Sequence, residues 1–262
     1  MKNNGYAVVK NLLSSEEIHD LRITCADHLS RSGTETNLGK LEGNCAVRIP
    51  QLGWVFTHPK ILDTVRSALG SKSIVFTGNS DIQISRLSGW HKDDGDGQYL
   101  GPECYDAPDC RIFRVGIYLQ DHTGNDQGLR VKRGSHVSPS NDIGDVVYLP
   151  TAPGDIVIFD VRLTHAGQLP DLIEKAIWEI SDRLGNPVMG RLCRQAYWSL
   201  IGRTDKLSLY TAFGLPNRYT EAFAHATMGS HLVDTGNRRR LSWPDNLVSA
   251  LQGNGIGHPD FT

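Results

Sequence analysis

No stretch of this chain approaches the apolar length that a membrane span requires, and no segment repeats or falls into low complexity. The first absence argues against a membrane protein, the second against a solenoid. An excess of either charge is missing too: 27 Lys and Arg stand against 29 acids, a formal charge of -2. That balance excludes a protein whose main work is coating nucleic acid or an anionic membrane, and leaves small-molecule chemistry as the better fit. Cysteine is sparse, five residues with no CxxC pair. An odd, scattered set does not make a disulfide framework, so the five are expected to be thiols even though Cys104 and Cys110 are close in sequence. The opening "MKNNGYAVVKNLLSSEE" lacks a basic segment followed by a long apolar run, and the expected location is the cytoplasm.

What is present reads as one domain over residues 1–262, long enough to bury a substantial core. "YAVVKNLL" predicts a strand, and "SSEEIHDLRITCADHLS" a helix with Ser14 as cap, Glu17 closing a capping box, and Ile18, Leu21 and Cys25 on one face. Residues 33–53, rich in Gly, Asn and Thr, read as loop. "HPKILDTVRSALG" then gives a second helix, with Pro59 in its first turn and Gly70 ending it, so two helices precede the sheet. From residue 73 the pattern is β: "SIVFTGNSDIQISRL", "RIFRVGIYLQD", "GLRVKRGSH", "DVVYLP" and "GDIVIFDVRLTH", punctuated by Gly, Asn, Asp and Pro. Many short strands in succession predict a sandwich or barrel. A helix follows over "LPDLIEKAIWEISDRLG", with Ile173, Ile177, Ile180 and Leu184 at helical spacing, then a strand "KLSLYTAFG" and a partly helical tail.

One stretch carries chemistry: "RLSGWHKDDGDGQY", with His91 and Asp93 one residue apart. Alternate residues of a strand share a face, so an imidazole and a carboxylate at this spacing converge on one ion. Spacing alone is weak, because the tail holds a second His-x-Asp, His258 and Asp260. A mononuclear non-haem iron site needs two imidazoles and one carboxylate with the opposite positions open. His165, at the end of "PGDIVIFDVRLTHAG", is the candidate for the third ligand, from a distant strand folded back on the first.

The order "WHKDD", "YLQDHTGNDQGLRVKRGSH", "PGDIVIFDVRLTHAG", with the "HPKILDTVRSALG" helix before it, resembles the phytanoyl-CoA dioxygenase-like (PhyH) family of Fe(II)/2-oxoglutarate-dependent oxygenases over roughly residues 5–215. The resemblance implies an α+β fold with an all-β core, a double-stranded β-helix of the jelly-roll or cupin type. N-terminal helices would flank it, the core would span about 73–215, a helical segment would be inserted at about 169–200 after the distal histidine, and residues 216–262 would be a candidate lid. It implies Fe(II) held by His91, Asp93 and His165, with 2-oxoglutarate, O2 and a small metabolite as the other reactants and succinate and CO2 as products. The carboxylate of Asp93 favours oxygenation, since related halogenases have a small residue there. Hydroxylation is the expected outcome, with desaturation, epoxidation or cyclisation open. A homodimer is a further expectation.

For the cosubstrate's distal carboxylate the family uses an arginine opening the strand after the distal histidine. This chain departs from that pattern. By residue type Arg203 is the candidate; by register the family's Arg-x-Ser opening falls on Lys206 and Ser208. Lysine would act as a point charge, arginine as a fork. Asp94 and Asp96 read as a solvated acidic loop, Lys92 as pointing away from the metal, His136 as structural and His122 as a turn residue. The helix after His165 is expected to pack its apolar stripe on the barrel, with a lid or dimer contact as the alternative, and Trp178, Tyr197 and Trp198 to be core, with a place facing the cleft as the alternative. Arg238, Arg239 and Arg240 read as a solvated patch, with contact to an anionic substrate as the lesser reading. Two rivals remain: a cupin-like metal enzyme that uses no 2-oxoglutarate, and a non-catalytic jelly roll that binds calcium or sugar.

Overall fold

The computed structural model describes residues 1–36, 39–124, 127–228, 233–234, 239–240 and 242–259. Local chemistry fixes the first boundaries. Strand β1 (Tyr6–Val9) leads into helix α1 (Ser15–Arg31), where the Glu17 N–H donates to the Ser14 hydroxyl at 3.2 Å and the Ser14 N–H donates to the Glu17 carboxylate at 2.7 Å. The hairpin β2 (Thr34–Thr36) and β3 (Gly39–Gly43) follows, then the short helices α2 (Cys45–Arg48) and α3 (Gly53–Phe56). Helix α4 (Pro59–Leu69) starts on Pro59 and stops on Gly70, which takes φ 66°. The β run then comes as β4 (Ile74–Ile84), β5 (Ile112–Tyr118), β6 (Leu129–Arg133), β7 (Asp145–Leu149), β8 (Ile156–Asp160) and β9 (His165–Ala166). Helices α5 (Leu172–Arg183) and α6 (Pro187–Leu200) separate it from β10 (Leu207–Gly214). The chain closes with α7 (Arg218–Met228), the backbone pair β11 (Val233–Asp234) and β12 (Arg239–Arg240), α8 (Asp245–Gly253) and β13 (Ile256–Gly257). Arg238 and Asp260 lie outside the described residues.

The large sheet has the order β1-β8-β5-β10-β4-β3-β2, with β13 alongside β4, and a small sheet has the order β7-β6-β9. Every pairing but that of β13 is antiparallel. The sheets form an antiparallel core of jelly-roll type with flanking helices, and they do not close into a barrel. Period-2 alternation divides the work of the large sheet. Phe113, Val115 and Ile117 of β5, Leu207 and Leu209 of β10 and Ile156 and Ile158 of β8 join a core with Ile18, Leu21 and Leu29 of α1 and Ile61, Leu62 and Val65 of α4. The opposite face meets the small sheet: Tyr118, Val157, Phe159 and Tyr210 pack with Leu129, Val131 and Leu149.

Two expectations are corrected here. Residues 33–53 are a hairpin and short helices rather than loop: β3 pairs with β4 in the register Lys40↔Ile84 to Gly43↔Asp81, so three strands precede β4 where the sequence announces one. Pairing with a distant strand supplies what the local sequence does not. The turn needs glycine, because Gly39 has φ 143° and a Cβ there would stand 2.6 Å from the Arg86 Cα.

The second correction concerns the insertion, which is two helices. Helices α5 and α6 face each other through polar groups: the Trp198 Nε1–H donates to Glu174 at 2.6 Å, Gln168 donates to the same carboxylate oxygen at 3.0 Å, and the Arg194 guanidinium lies over the Trp198 ring. Their apolar residues point outward. Leu172, Ile173, Ile180, Leu184, Leu192 and Leu200 are exposed, as is Trp178, so the stripe does not pack on the sheets.

Candidate metal centre and its pocket

The segment Leu87–Asp93 crosses the open end of the small sheet. His91 and His165 exchange both backbone hydrogen bonds, His91 N–H to His165 O at 3.0 Å and His165 N–H to His91 O at 2.9 Å. On its other side β9 pairs with β6, Val131 opposite His165. Asp93 is pinned by its own N–H, which donates to Val161 O at 2.8 Å. Lys92 points away from this face, and its ammonium donates to Ser135 O at 2.9 Å and Arg162 O at 2.6 Å.

These constraints bring His91, Asp93 and His165 together, with one ligand atom from each within 4.8 Å of the others. Both imidazole Nε2 atoms stand 3.7 Å from the same oxygen, Asp93 Oδ1. The other ring nitrogens are committed: His91 Nδ1 lies 2.8 Å from Gly89 O and His165 Nδ1 3.0 Å from Leu163 O. A carbonyl only accepts, so Nδ1 carries the proton in each neutral ring and Nε2 presents its lone pair. Burial, ahead of the opposing pull of Asp93, pushes the His165 imidazole down to about 4, which keeps it neutral at pH 7.

The second Asp93 oxygen faces Arg114, whose Nη1 is 3.1 Å from Oδ2. Arg114 also pairs with Asp81 and lies over the Tyr210 ring, 5.0 Å from its centroid. Burial raises the Asp93 carboxyl, but Arg114 and then the two histidines outweigh it and hold it below the usual carboxylate range. Two neutral imidazoles and one ionised carboxylate oxygen facing a common point are the donor set of a 2-His-1-carboxylate metal site, and the residues fit ferrous iron.

A cavity of about 410 Å³ opens beside the triad. Its wall includes Asn79, Asp81 and Gln83 from alternate positions of β4, Arg114 from β5, Tyr210 from β10, and Ala226 and Thr227 from α7. Lys206 is also in the wall and is only 4 % exposed. No carboxylate within ion-pairing distance of its ammonium occurs among the described residues, and burial followed by repulsion from Arg130 pushes it down to about 8. A buried cation without a counter-ion is matched to an anion that arrives from solution.

Arg203 lies elsewhere, with its Nη1 3.3 Å from Glu174 and 3.5 Å from Asp171 in the helical insertion. Ser208 is buried on β10 between Lys206 and Tyr210 and does not reach the cavity wall. Asp94 corrects the solvated-loop reading: it is fully buried and accepts from the Tyr105 hydroxyl at 2.8 Å and the Gly97 N–H at 3.1 Å, and burial raises its carboxyl. Asp96 stays exposed and accepts from Asn141 at 2.9 Å. His136 sits 3.2 Å from Lys2 O, outside the triad, and His122 lies in the irregular segment after β5, buried beside Gln120. Tyr197 donates to Asp171 at 2.9 Å, and neither it nor Trp178 or Trp198 lines the cavity. The cavity residues that sequence reasoning passes over, Asp81, Gln83, Arg86 and Arg114, do carry a signal. In "DIQI" polar residues alternate with apolar ones, and Arg114 is the lone charge in "IFRVGIY".

The family model described as Phytanoyl-CoA dioxygenase (PhyH) matches residues 1–168 and ends just before α5. No curated protein matches the sequence. Among solved structures, the chain is similar to the non-heme alpha ketoglutarate dependent epimerase SnoN from nogalamycin biosynthesis, at 14 % identity and a TM-score of 0.58, covering 93 % of this chain and 91 % of that one. The carbocyclase SnoK from the same biosynthesis aligns at 16 % identity and a TM-score of 0.56, over 81 % of this chain and 80 % of the other. EctD from S. alaskensis aligns at 14 % identity and a TM-score of 0.56, over 81 % and 74 %. At these identities the likeness is one of fold.

Proposed function

The chain belongs to the phytanoyl-CoA dioxygenase family of Fe(II)/2-oxoglutarate-dependent oxygenases, and from that premise we propose that it hydroxylates a C–H bond of a small metabolite, with His91, Asp93 and His165 as the iron ligands and Lys206 as the cation for 2-oxoglutarate. The observation that carries the reading is the approach of both Nε2 atoms to the single oxygen Asp93 Oδ1, with Oδ2 turned to Arg114. Iron, when bound, would activate O2, which takes two electrons from 2-oxoglutarate and two from the substrate C–H bond, so that R–H, 2-oxoglutarate and O2 give R–OH, succinate and CO2.

The protein's part is placement. Gly89 O and Leu163 O hold the imidazoles in the tautomer that ligates. Arg114 holds the Oδ2 side of Asp93, so that Oδ1 would be the ligating oxygen and the open positions would serve 2-oxoglutarate and O2. Lys206 neutralises the distal carboxylate at the end of the cavity near Gly167. Phe159, whose ring centroid lies 4.7 Å from that of His165, contributes apolar wall beside the triad and would limit water there.

Lys206 favours this reading over a cupin-like enzyme without 2-oxoglutarate, in which the substrate itself would have to bring the anion that a buried cation calls for. The similar structures include an epimerase, a carbocyclase and a complex of EctD with 2-oxoglutarate and 5-hydroxyectoine. Hydroxylation asks least of the pocket. The test is anaerobic titration of the Fe(II)-loaded protein with 2-oxoglutarate: the expected result is a weak visible charge-transfer band, absent in His165→Ala and shifted to far higher 2-oxoglutarate in Lys206→Ala but not in Arg203→Ala. Iron binding with no band in the wild type would sink the 2-oxoglutarate reading.

A further inference from the structure

The functional reading leaves one cavity charge without a task. Arg86 stands in the wall of the metal pocket, just after the left-handed Ser85 (φ 54°) that ends β4. Among the described residues no carboxylate pairs with its guanidinium, and its Nε is buried without a hydrogen-bond partner. The other arginines at or near the pocket are occupied. Arg114 pairs with Asp81 and Asp93, and Arg130 donates to Gly167 O at 3.3 Å and lies over the Tyr148 ring.

Charge balance says what Arg86 faces. The double charge of ferrous iron and the Lys206 ammonium are matched by Asp93 and the 2-oxoglutarate dianion, and Arg114 is matched by Asp81. Lys92 borders the cavity too, but its ammonium is turned onto Ser135 O and Arg162 O. Arg86 is then the remaining charge in the wall that no anion or carbonyl takes up among the described residues, in a position more open than that of Lys206, which is 4 % exposed. A partly desolvated guanidinium offers a fork that a carboxylate or phosphate fills with two hydrogen bonds.

We propose that the substrate is a small organic acid whose carboxylate or phosphate group is held by Arg86, which makes Arg86 a specificity-determining residue of the pocket. This rests on the Fe(II)/2-oxoglutarate reading, since that reading assigns the other charges. The acid anchors the far end of the molecule and leaves its C–H bond toward the triad. A neutral analogue leaves the fork unpaired, which costs binding.

The test uses the full chain loaded with Mn(II) and saturating 2-oxoglutarate, and reads the paramagnetic relaxation of two probes, inorganic phosphate by phosphorus resonance and acetate by proton resonance. The expected result is a saturable relaxation enhancement for at least one probe. Affinity should fall about tenfold or more in Arg86→Gln, as loss of a charge-assisted bidentate contact predicts. Arg86→Lys should recover part of it, and Arg133→Gln, a surface change, none of the loss. Which probe responds separates a carboxylate substrate from a phosphate ester. No saturable effect in the wild type, or one that survives Arg86→Gln, overturns the inference. So does a charge-transfer band that, in Arg86→Gln with Fe(II), needs far more 2-oxoglutarate, because Arg86 would then serve the cosubstrate. Absence of that band in the wild type removes the functional reading itself, whereas a normal band with no anion effect removes the inference alone.

Discussion

Arg114 connects the two carboxylates that matter most, and its loss should be felt differently with and without metal. In the metal-free protein, Arg114→Gln leaves Asp81 and Asp93 close together with no cation between them, a defect of about 3–5 kcal/mol when one partner of a buried pair is removed. Iron neutralises Asp93, so the loss in Tm should be clearly smaller after anaerobic Fe(II) loading. Iron affinity in the same variant should drop about 10–100-fold, the usual effect of deleting a group that orients a ligand, as measured by competition with a chelator. Equal losses of Tm in both states would show that Arg114 merely packs. Lys206 makes a pH prediction. Its ammonium is lowered to about 8, so it is charged and able to hold the dianion at pH 7 and loses that ability as pH rises through 8. The 2-oxoglutarate concentration at half-saturation should climb above pH 8 in the wild type, and Lys206→Arg should flatten the climb. The linkage to stability has the opposite sense: between about 8 and the usual lysine value of 10.5 the unfolded chain holds more protons, so this group's contribution to stability increases with pH.

Elements differ in how openly the sequence announces them. Helix α1 and helix α4 are legible because their signals are local, the Ser14 and Glu17 box and the Pro59 start with its Gly70 stop. His91 and Asp93 are legible for the same reason, a spacing of two, with His91 on a β-bridge and Asp93 opening the turn that follows. The β2–β3 hairpin is not, since its strands depend on the distant edge of β4. Arg114 is visible as a lone charge, but its partners Asp81 and Asp93 meet it only through the fold. Helix α6 is hidden because its inward residues are Gly190, Arg194 and Trp198 rather than an aliphatic stripe. That inversion yields a test of the insertion. Leu172→Ser and Leu200→Ser, at residues 83 % and 86 % exposed, should change stability by no more than about 0.5 kcal/mol. Trp198→Ala should cost about 3–5 kcal/mol, since it opens a cavity and strips Glu174 of a donor. A large loss from the leucines in chemical denaturation would mean that the outward face is covered.

Over the whole molecule, one sheet serves two environments. The face toward α1 and α4 is aliphatic and carries stability, while the opposite face carries Asn79, Asp81, Gln83, Arg114 and Tyr210 and pairs or opens them onto a cavity. Ligands that bind only the folded chain should therefore add stability in sequence. Fe(II) at a hundred times its dissociation constant should contribute about 2.7 kcal/mol, and 2-oxoglutarate a further increment only once iron is present. Calorimetry under argon, with chelator reversal, reads both. A 2-oxoglutarate effect of full size without iron would mean that the cosubstrate is held by Lys206 alone.

The mutual backbone hydrogen bonds of His91 and His165 have a kinetic consequence. The two residues are far apart in the chain, and main-chain hydrogen bonds join them directly, independent of any shared ion. Iron capture should therefore be paced by shedding water from the ion and not by chain motion, with the surrounding strands staying folded as iron exchanges.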